Sequence, residues 1–405
     1  MTAGSPVRIT FALSIGLMLG QMAIMAIPAL TVDLAVLWQL DAARIGWLGG
    51  IYFAGYAVAL PFLTGAAERM DGRIVYAAAA LISAAASFCV ALYADGFWWA
   101  LALRFSAGIG FAGIHIVGMK LLADRLSGTA QVRASAYYTA AFAIGSGCSF
   151  LAAGLFSKLF GWQAVFIAAG IGSLLSMAVL LLIGPPLAGN EIRTSRWFPD
   201  FRAALRDVEI IRYVLAYAGN LWEVFAVRVW FVPFLAFNMA VNEGARWGLE
   251  PATAVGLSVF IAVPLNIAIA ELGVRWGRKP VIFAVSLASI VVCGWLGWQA
   301  SGPYVLVLAL LLLHGITSYG DVGAIAAGLV AASTGETRAA ALALFGVIGF
   351  TFGFLGPLAV GLAIDLAGGR EEPVAWFWAF AVMAFGSVIS AAAMAWRPKC
   401  HPKTP

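Results

Sequence analysis

Long apolar segments separated by short polar ones run through the whole chain. Each segment is close to the ~20 residues that an α-helix needs to cross a bilayer, and the pattern predicts twelve spanning helices. The first six predicted spans are 9–30, 44–64, 74–93, 98–122, 134–155 and 162–183. The second six are 211–237, 252–269, 281–299, 304–329, 339–366 and 374–396. The first segment is too long for the apolar region of a signal peptide, so we interpret it as a retained helix.

The composition supports an all-α membrane protein rather than a soluble one. Of 405 residues, 63% are hydrophobic and 11% are charged, whereas soluble domains are about half apolar and about a quarter charged. The function must therefore lie within the bilayer-embedded part. We see no phosphate-binding loop, no catalytic triad and no metal-ligand pattern, so we expect no enzyme activity, no cofactor and no bound metal.

The four cysteines do not suggest a metal site or a disulfide framework. They form no CxxC pair, and three of them lie in the middle of predicted helices. Small apolar packing residues are the simpler interpretation. The cysteines are Cys89, Cys148, Cys293 and Cys400.

The distribution of basic residues predicts the orientation in the membrane. Eighteen of the 24 lysines and arginines lie on one side of the predicted helices and four on the other, while Arg104 and Arg228 lie within helices. Because basic loops stay in the cytoplasm, we expect both termini to be cytoplasmic in a multi-pass protein of the inner membrane. The net charge of +5 thus reflects topology, and we expect no nucleic-acid partner.

The chain divides into two similar halves. We assign a first six-helix bundle to 1–184, a cytoplasmic linker to 185–210 and a second bundle to 211–405. Within the linker, Asp200 is predicted to cap a short amphipathic helix over 201–208. The pairs Gly72-Arg73 and Arg133-Ala134, which precede predicted helices, recur as Gly277-Arg278 and Arg338-Ala339, 205 residues later in both cases. Such a parallel repeat places a substrate site at the midplane, which rocking of the halves exposes alternately.

Local motifs give the chain a resemblance to the major facilitator superfamily over essentially its whole length. In the fourth helix, Arg104 is followed by Gly108, Gly110 and Gly113, similar to the arginine and spaced glycines of that family. The loop after the second helix resembles the family's cytoplasmic loop through Gly65, Glu68, Arg69, Asp71, Gly72 and Arg73. Its second copy contains Arg275, Gly277 and Arg278. The resemblance implies two pseudo-symmetric six-helix bundles and loops whose charges hold the halves together when the site faces outward.

One family pattern is missing from its usual position. Drug antiporters of this superfamily carry a Gly-Pro motif in helix five, which here has no proline. A similar arrangement, with Gly353, Gly356 and Pro357, stands in helix eleven instead. We interpret these residues, like the glycines of helix four, as helix-packing positions, and the difference disfavours a drug antiporter.

Polar residues within the apolar spans are the candidate site, because ionisable groups there are costly and usually functional. By the resemblance, helices one, four, seven and ten line a central cavity. The candidates on these helices are Gln21, Arg104, His115, Asn220, Glu223, Arg228, His314 and Asp321. Each could instead be a structural residue that satisfies its hydrogen bonds within the bundle. Carboxylates and histidines can carry protons there.

These observations favour a proton-coupled secondary transporter for a small organic solute. The cationic residues and histidines favour an anionic or zwitterionic substrate. An exporter of amphipathic drugs or metabolites is the alternative, while a channel or a membrane enzyme is disfavoured. We expect a monomer whose partners are its substrate, protons and the lipid bilayer, and we expect that loss of Arg104 abolishes transport with little effect on folding.

Overall fold

The computed structural model describes residues 5–184, 201–242, 249–335 and 337–396. All regular structure in these ranges is helical. The helices of the first half are α1 Pro6–Gly20, α2 Ala26–Leu37, α3 Ala42–Arg69, α4 Gly72–Tyr93, α5 Phe97–Ala112, α6 Gly118–Arg125, α7 Gly128–Phe160 and α8 Trp162–Ala178. Those that follow are α9 Phe201–Arg206, α10 Val208–Val241, α11 Pro251–Trp276, α12 Arg278–Trp298, α13 Tyr304–Gly320, α14 Val322–Ala332, α15 Arg338–Leu366 and α16 Pro373–Ala395.

The predicted all-α membrane fold with twelve spanning segments is confirmed. Ten continuous helical segments in the described ranges are long and apolar enough to cross a membrane. The first span, divided into α1 and α2, and the span formed by α11 complete the twelve. Contacts group α1 to α8 into one bundle and α10 to α16 into a second, and the halves meet mainly where α3 packs on α15 and α7 packs on α11.

Several predicted boundaries differ from the structure. Helix α7 begins at Gly128, so Arg133 lies inside it rather than before it. The short linker helix ends at Arg206, because the carboxylate of Asp207 accepts hydrogen bonds from the backbone of Glu209 and Ile210 at 2.9 and 3.3 Å and starts α10. The predicted cap Asp200 and residues 185–200 of the linker lie outside the described residues.

The first span is broken, whereas the sequence predicted one helix over 9–30. Residues 21–25 form a turn between α1 and α2, and its freed backbone groups need partners because hydrocarbon supplies none. Arg104 donates from Nη1 to Ala23 O at 2.5 Å and from Nη2 to Ile24 O at 3.4 Å. Ser149 donates to Met22 O at 2.7 Å.

Gln21 fixes the same turn to the neighbouring helix. Its Nε2 donates to the carbonyl oxygens of Ala141 and Phe142 on α7, both at 3.2 Å. The side chains of Gln21 and Arg104 are respectively 0% and 1% exposed. Both candidate site residues are therefore anchors of the broken helix in this conformation.

At one end of the molecule, the two halves are in close contact. We call the end with the Gly72-Arg73 and Gly277-Arg278 loops the basic end and the other the opposite end. At the opposite end, Asp365 of α15 accepts hydrogen bonds from the backbone N–H groups of Ala42 and Ala43 at 3.0 and 2.7 Å. These N–H groups begin α3, where a helix has unpaired donors and a positive dipole end. A carboxylate of the second half thus caps a helix of the first.

Toward the basic end, α7 and α11 separate. On α7 and α11, the contacts at the opposite end join Gly147 to Phe260 and Leu151 to Gly256. On α7, Tyr137 lies about four turns before Leu151 and on nearly the same face of the helix. On α11, Ile267 lies about two turns after Phe260, again on nearly the same face. These two side chains are 66% and 67% exposed. The helix faces that meet at the opposite end are therefore uncovered toward the basic end.

The sequence predicted that loss of Arg104 would have little effect on folding, but the hydrogen bonds of Arg104 to the turn at residues 21–25 predict a cost in stability as well as in transport. We expect Arg104→Met to lower the melting temperature of the purified protein, because it removes the charged donor to Ala23 O and Ile24 O. Ala23 O keeps a 3.4 Å hydrogen bond from Ala26 N, whereas the Ile24 carbonyl loses its side-chain partner, at a cost of about 1–3 kcal/mol. Arg104→Lys should fall between the wild type and Arg104→Met, since one ammonium group cannot reproduce the planar fork.

The matched control is Arg44→Met, because the side chain of Arg44 is 52% exposed in a surface ion pair with Asp41. Its melting temperature should change little. Equal melting temperatures for Arg104→Met and the wild type would show that the turn does not depend on this side chain.

The close approach of α3 and α5 predicts a second stability effect. A Cβ atom at Gly108 would overlap the carbonyl oxygen of Tyr52, whereas one at Gly294 of α12 would have no atom within 4 Å. We expect Gly108→Ala to destabilise the protein by about 1–3 kcal/mol through overpacking and Gly294→Ala to be neutral or stabilising. Thermal unfolding in detergent compares them, and similar effects from both would contradict this packing.

Candidate functional site

The candidate side chains are nearly all buried and fall into separate groups. All except His115 are at most 5% exposed. Glu223 contacts His314, and Asn220 contacts Asp321. Arg228 and His115 each lie in different surroundings. Gln21 and Arg104 both hold the turn at residues 21–25. The structure therefore brings some candidates together but does not unite all eight residues into one site.

Glu223 is fully enclosed within the second bundle. Its Oε1 lies 2.8 Å from His314 Nε2 of α13, and it accepts a hydrogen bond from the Ser289 hydroxyl of α12. Its Oε2 accepts one from the Ser387 hydroxyl of α16. The carboxylate is thus directed toward α12 and α16, which differs from the expectation that it lines a central pathway.

Cys293 joins this pair, which the sequence did not suggest. Its Sγ lies 3.1 Å from His314 Nε2 and 3.8 Å from Glu223 Oε1. The thiol comes from α12, one turn after Ser289, and is completely buried. The four-residue spacing of Ser289 and Cys293 was visible in the sequence, but nothing in it indicated that this face meets Glu223.

Asp321 lies where α13 gives way to α14. Asn220 of α10 donates from Nδ2 to Asp321 Oδ1 at 2.8 Å and to Ser318 O at 2.7 Å. The Asp321 side chain is 3% exposed. In the part of the chain that the structure describes, no lysine, arginine or histidine forms an ion pair with it. An ionised Asp321 would therefore be a buried charge without a counter-ion.

Arg228 faces α13 through aromatic rings. Its Nε donates to the hydroxyl group of Tyr319 at 2.7 Å. Its guanidinium carbon lies 5.1 Å from the ring centres of both Phe225 and Tyr319, a cation–π distance. Nη1 is buried and has no hydrogen-bond partner among the described residues. Nη1 is thus still able to donate a hydrogen bond to an acceptor.

His115 lies in a widened, π-helical turn over Gly113–Val117 between α5 and α6. Its Nδ1 is 2.9 Å from the hydroxyl group of Tyr56 on α3. Its ring packs against Phe142 at 4.9 Å between centroids, and Tyr56 packs against Phe350 of the other half at 4.0 Å. Such π-helical turns often mark functional sites. His115 therefore lies beside the aromatic contact between the halves.

The candidate loop residues lie at helix ends. Gly65, Glu68 and Arg69 belong to the last turns of α3, and Asp71 caps α4 by accepting a hydrogen bond from Arg73 N at 2.9 Å. Gly72 is the first residue of α4.

In the second copy of the loop, Gly277 has φ +91°, which allows the sharp turn between α11 and α12, and Arg278 begins α12. Arg275 forms a 3.6 Å ion pair with Glu271 of its own helix. The predicted role of these loops in joining the halves stays a prediction.

The candidate packing glycines all face neighbouring helices closely. An added Cβ would lie 2.5 Å from Ser83 N at Gly110 and would overlap Ala79 at Gly113, Phe225 at Gly353 and the Trp222 backbone at Gly356. The carbonyl oxygen of Pro357 accepts a 2.9 Å hydrogen bond from the indole of Trp230. These positions allow close approach of α4 to α5 and of α10 to α15.

Comparison with known proteins agrees with this architecture. A metabolite transport protein assigned in Haemophilus influenzae is 24% identical over 357 residues, which cover 84% of this chain and 83% of that protein. The crystal structure of the nucleoside transporter NupG superposes with a TM-score of 0.78 at 15% identity, covering 98% and 99% of the two chains. The D-xylose-proton symporter superposes with a TM-score of 0.74 at 14% identity, covering 95% and 97%.

The sequence model of one family matches more than half of the chain. That model, described as Major Facilitator Superfamily, covers residues 9–249. The twelve spans, the two bundles and the similarity to solved transporters agree with the match. This multi-pass membrane protein is a transporter rather than an enzyme, and the chain belongs to the major facilitator superfamily.

Proposed function

We propose that this chain is a proton-coupled secondary transporter of a small organic anion or zwitterion that works by alternating access. The observation that carries the proposal is the uncompensated Asp321, together with the free hydrogen-bonding capacity of Arg228 in the same half. The carboxylate of Asp321 suits a transported proton, and the guanidinium of Arg228 suits an anionic group of a substrate.

Arg228 supports an anionic group on the substrate. Its guanidinium is held by Tyr319 and Phe225 but keeps the buried Nη1 without a partner. A buried charged donor without an acceptor is costly, so a carboxylate or phosphate of a substrate would find a favourable, charge-assisted hydrogen bond there. The aromatic rings that flank the cation would exclude water from this contact.

Asp321 supports proton coupling. A proton on Asp321 removes a buried charge that no cation balances, and water entering from an open end would favour its release. Asn220 Nδ2 can donate to Asp321 Oδ1 whether the carboxyl group is protonated or ionised. The Asp321 side chain therefore keeps its position while the proton binds and leaves. The sequence also offered Glu223, His314 and His115 as proton carriers. Glu223 and His314 lie enclosed within the second bundle, and His115 Nδ1 is hydrogen-bonded to Tyr56.

The two ends of the molecule support the direction of opening. By the distribution of basic residues, the basic end is cytoplasmic, and both termini would lie there. Helices α7 and α11 meet at the opposite end and separate toward the basic end, so this conformation would be open to the cytoplasm between them. The D-xylose-proton symporter is a precedent for proton coupling on this fold.

A carrier for amphipathic compounds is the second candidate function, and one cavity favours it. A groove of about 650 Å³ lies between α1 and α7 near the basic end. Its walls include Phe11, Met18, Tyr137 and Ile144, and Arg133 lies among them. An apolar groove with one cation would suit an amphipathic anion. A thermal-shift screen of the purified protein against both metabolites and amphipathic compounds separates the two candidates, because a ligand stabilises the state that it binds.

Asp321→Asn tests the proton coupling, with the substrate found in that screen. In proteoliposomes, we expect the variant to lose gradient-driven accumulation, because the amide cannot carry the proton. Exchange of substrate at equal concentrations on both sides should persist, since it needs no net proton movement. The control is Asp33→Asn, because Asp33 is an exposed carboxylate on α2. Full uphill, proton-dependent uptake by Asp321→Asn would contradict the assignment.

A further inference from the structure

The cluster of Glu223, Cys293 and His314 has no part in the proposed transport cycle, yet it combines three different metal-ligating side chains. One carboxylate oxygen, one thiol sulfur and one imidazole nitrogen lie within 4.8 Å of one another. They come from α10, α12 and α13, and none is more than 1% exposed. Cysteine, histidine and glutamate are the usual ligands of Zn²⁺ and related ions.

The distances are close to those of a coordinated ion. Zinc bonds of about 2.0–2.3 Å at tetrahedral angles place donor atoms about 3.3–3.8 Å apart. The separation of Cys293 Sγ from Glu223 Oε1 is 3.8 Å, while His314 Nε2 lies 2.8 Å from the oxygen and 3.1 Å from the sulfur. His314 Nδ1 has no hydrogen-bond partner in the described ranges. The ring can therefore withdraw by the required fraction of an ångström without breaking a second bond.

The charges of a loaded site would also balance. A thiolate, a carboxylate and a neutral imidazole together carry two negative charges, which one divalent cation neutralises. The thiol proton leaves as the ion binds, so the loaded cluster has no net charge in the apolar interior, where a net charge would be costly.

Neighbouring hydroxyl groups support the carboxylate. Ser289 and Ser387 donate to its two oxygens, and Thr317 donates to Ser289 at 3.2 Å. Outer hydrogen bonds of this kind orient metal ligands and raise the affinity of a site. The carboxylate is thus held toward the point where the thiol and the imidazole converge.

We propose that Glu223, Cys293 and His314 form a binding site for one divalent cation of the Zn²⁺ class. Three protein ligands leave a fourth position for a hydroxyl group or water. Because the ligands belong to three helices of the second bundle, a bound ion links α10, α12 and α13 and stabilises that half. The enclosed position makes loading slow, since the helices must separate to admit the ion.

Co²⁺ is the probe that tests this site, because thiolate coordination gives it a near-ultraviolet charge-transfer band. The full-length protein is purified without a histidine tag and carries Cys400→Ser and His401→Ala, which remove a second thiol–imidazole pair in the sequence. We expect stoichiometric Co²⁺ binding with this band, its loss on addition of Zn²⁺, and a melting temperature raised by Zn²⁺. Cys293→Ser should lose the band, and Glu223→Gln and His314→Gln should bind at least tenfold more weakly.

Cys148→Ser is the matched control, because Cys148 is an exposed thiol on α7, and it should keep the band. Absence of the band in the parent protein, or its persistence in Cys293→Ser, would overturn the proposal. A variant that fails to fold is recognised by gel filtration, and the parent and Cys148→Ser spectra then decide alone. No transport is measured, so the result is independent of the proposed function.

Discussion

The absence of water in the bilayer core is the constraint on which the rest of this structure depends. A backbone or side-chain polar group at that depth is costly unless it finds a partner within the protein. The turn at residues 21–25 shows the consequence: Arg104, Gln21 and Ser149 satisfy or fix backbone groups that a continuous helix would have satisfied itself. A helix can break in hydrocarbon only where its neighbours supply such side chains.

The same constraint applies to the polar residues of the candidate site. Ser289 and Ser387 donate to the two oxygens of Glu223, and His314 Nε2 lies 2.8 Å from one of them, so the second bundle itself supplies partners for this carboxylate. Asp321 accepts from Asn220 alone among side chains and lacks a cation in the described ranges, and Arg228 keeps a free nitrogen. In the proposed function, a proton completes the carboxylate of Asp321, and an anionic group of the substrate completes the guanidinium of Arg228.

The sequence predicted the helices well because apolar length is a local property. It placed all twelve spans, and the 205-residue offset between the Gly72-Arg73 and Gly277-Arg278 pairs matched two equivalent turns. It missed the break at residues 21–25, because the partners that permit it lie about 80 and 125 residues away. The proximity of Cys293 to His314 was hidden for the same reason: it depends on the rotation of α12 against α13, which helical periodicity alone does not determine.

In the proposed transport cycle, the two halves part at one end of the molecule as they close at the other. Asp365 holds them together at the opposite end by capping α3. The most direct test is pulsed electron–electron double resonance on spin-label pairs in a cysteine-free protein. One pair, at Asp95 and Glu371, spans the opposite end, and the other, at Ser127 and Trp276, spans the basic end. With Asp365→Ala, we expect the first distance to lengthen and the second to shorten. Unchanged distances, or a change of both in the same direction, would contradict alternating access controlled by this contact.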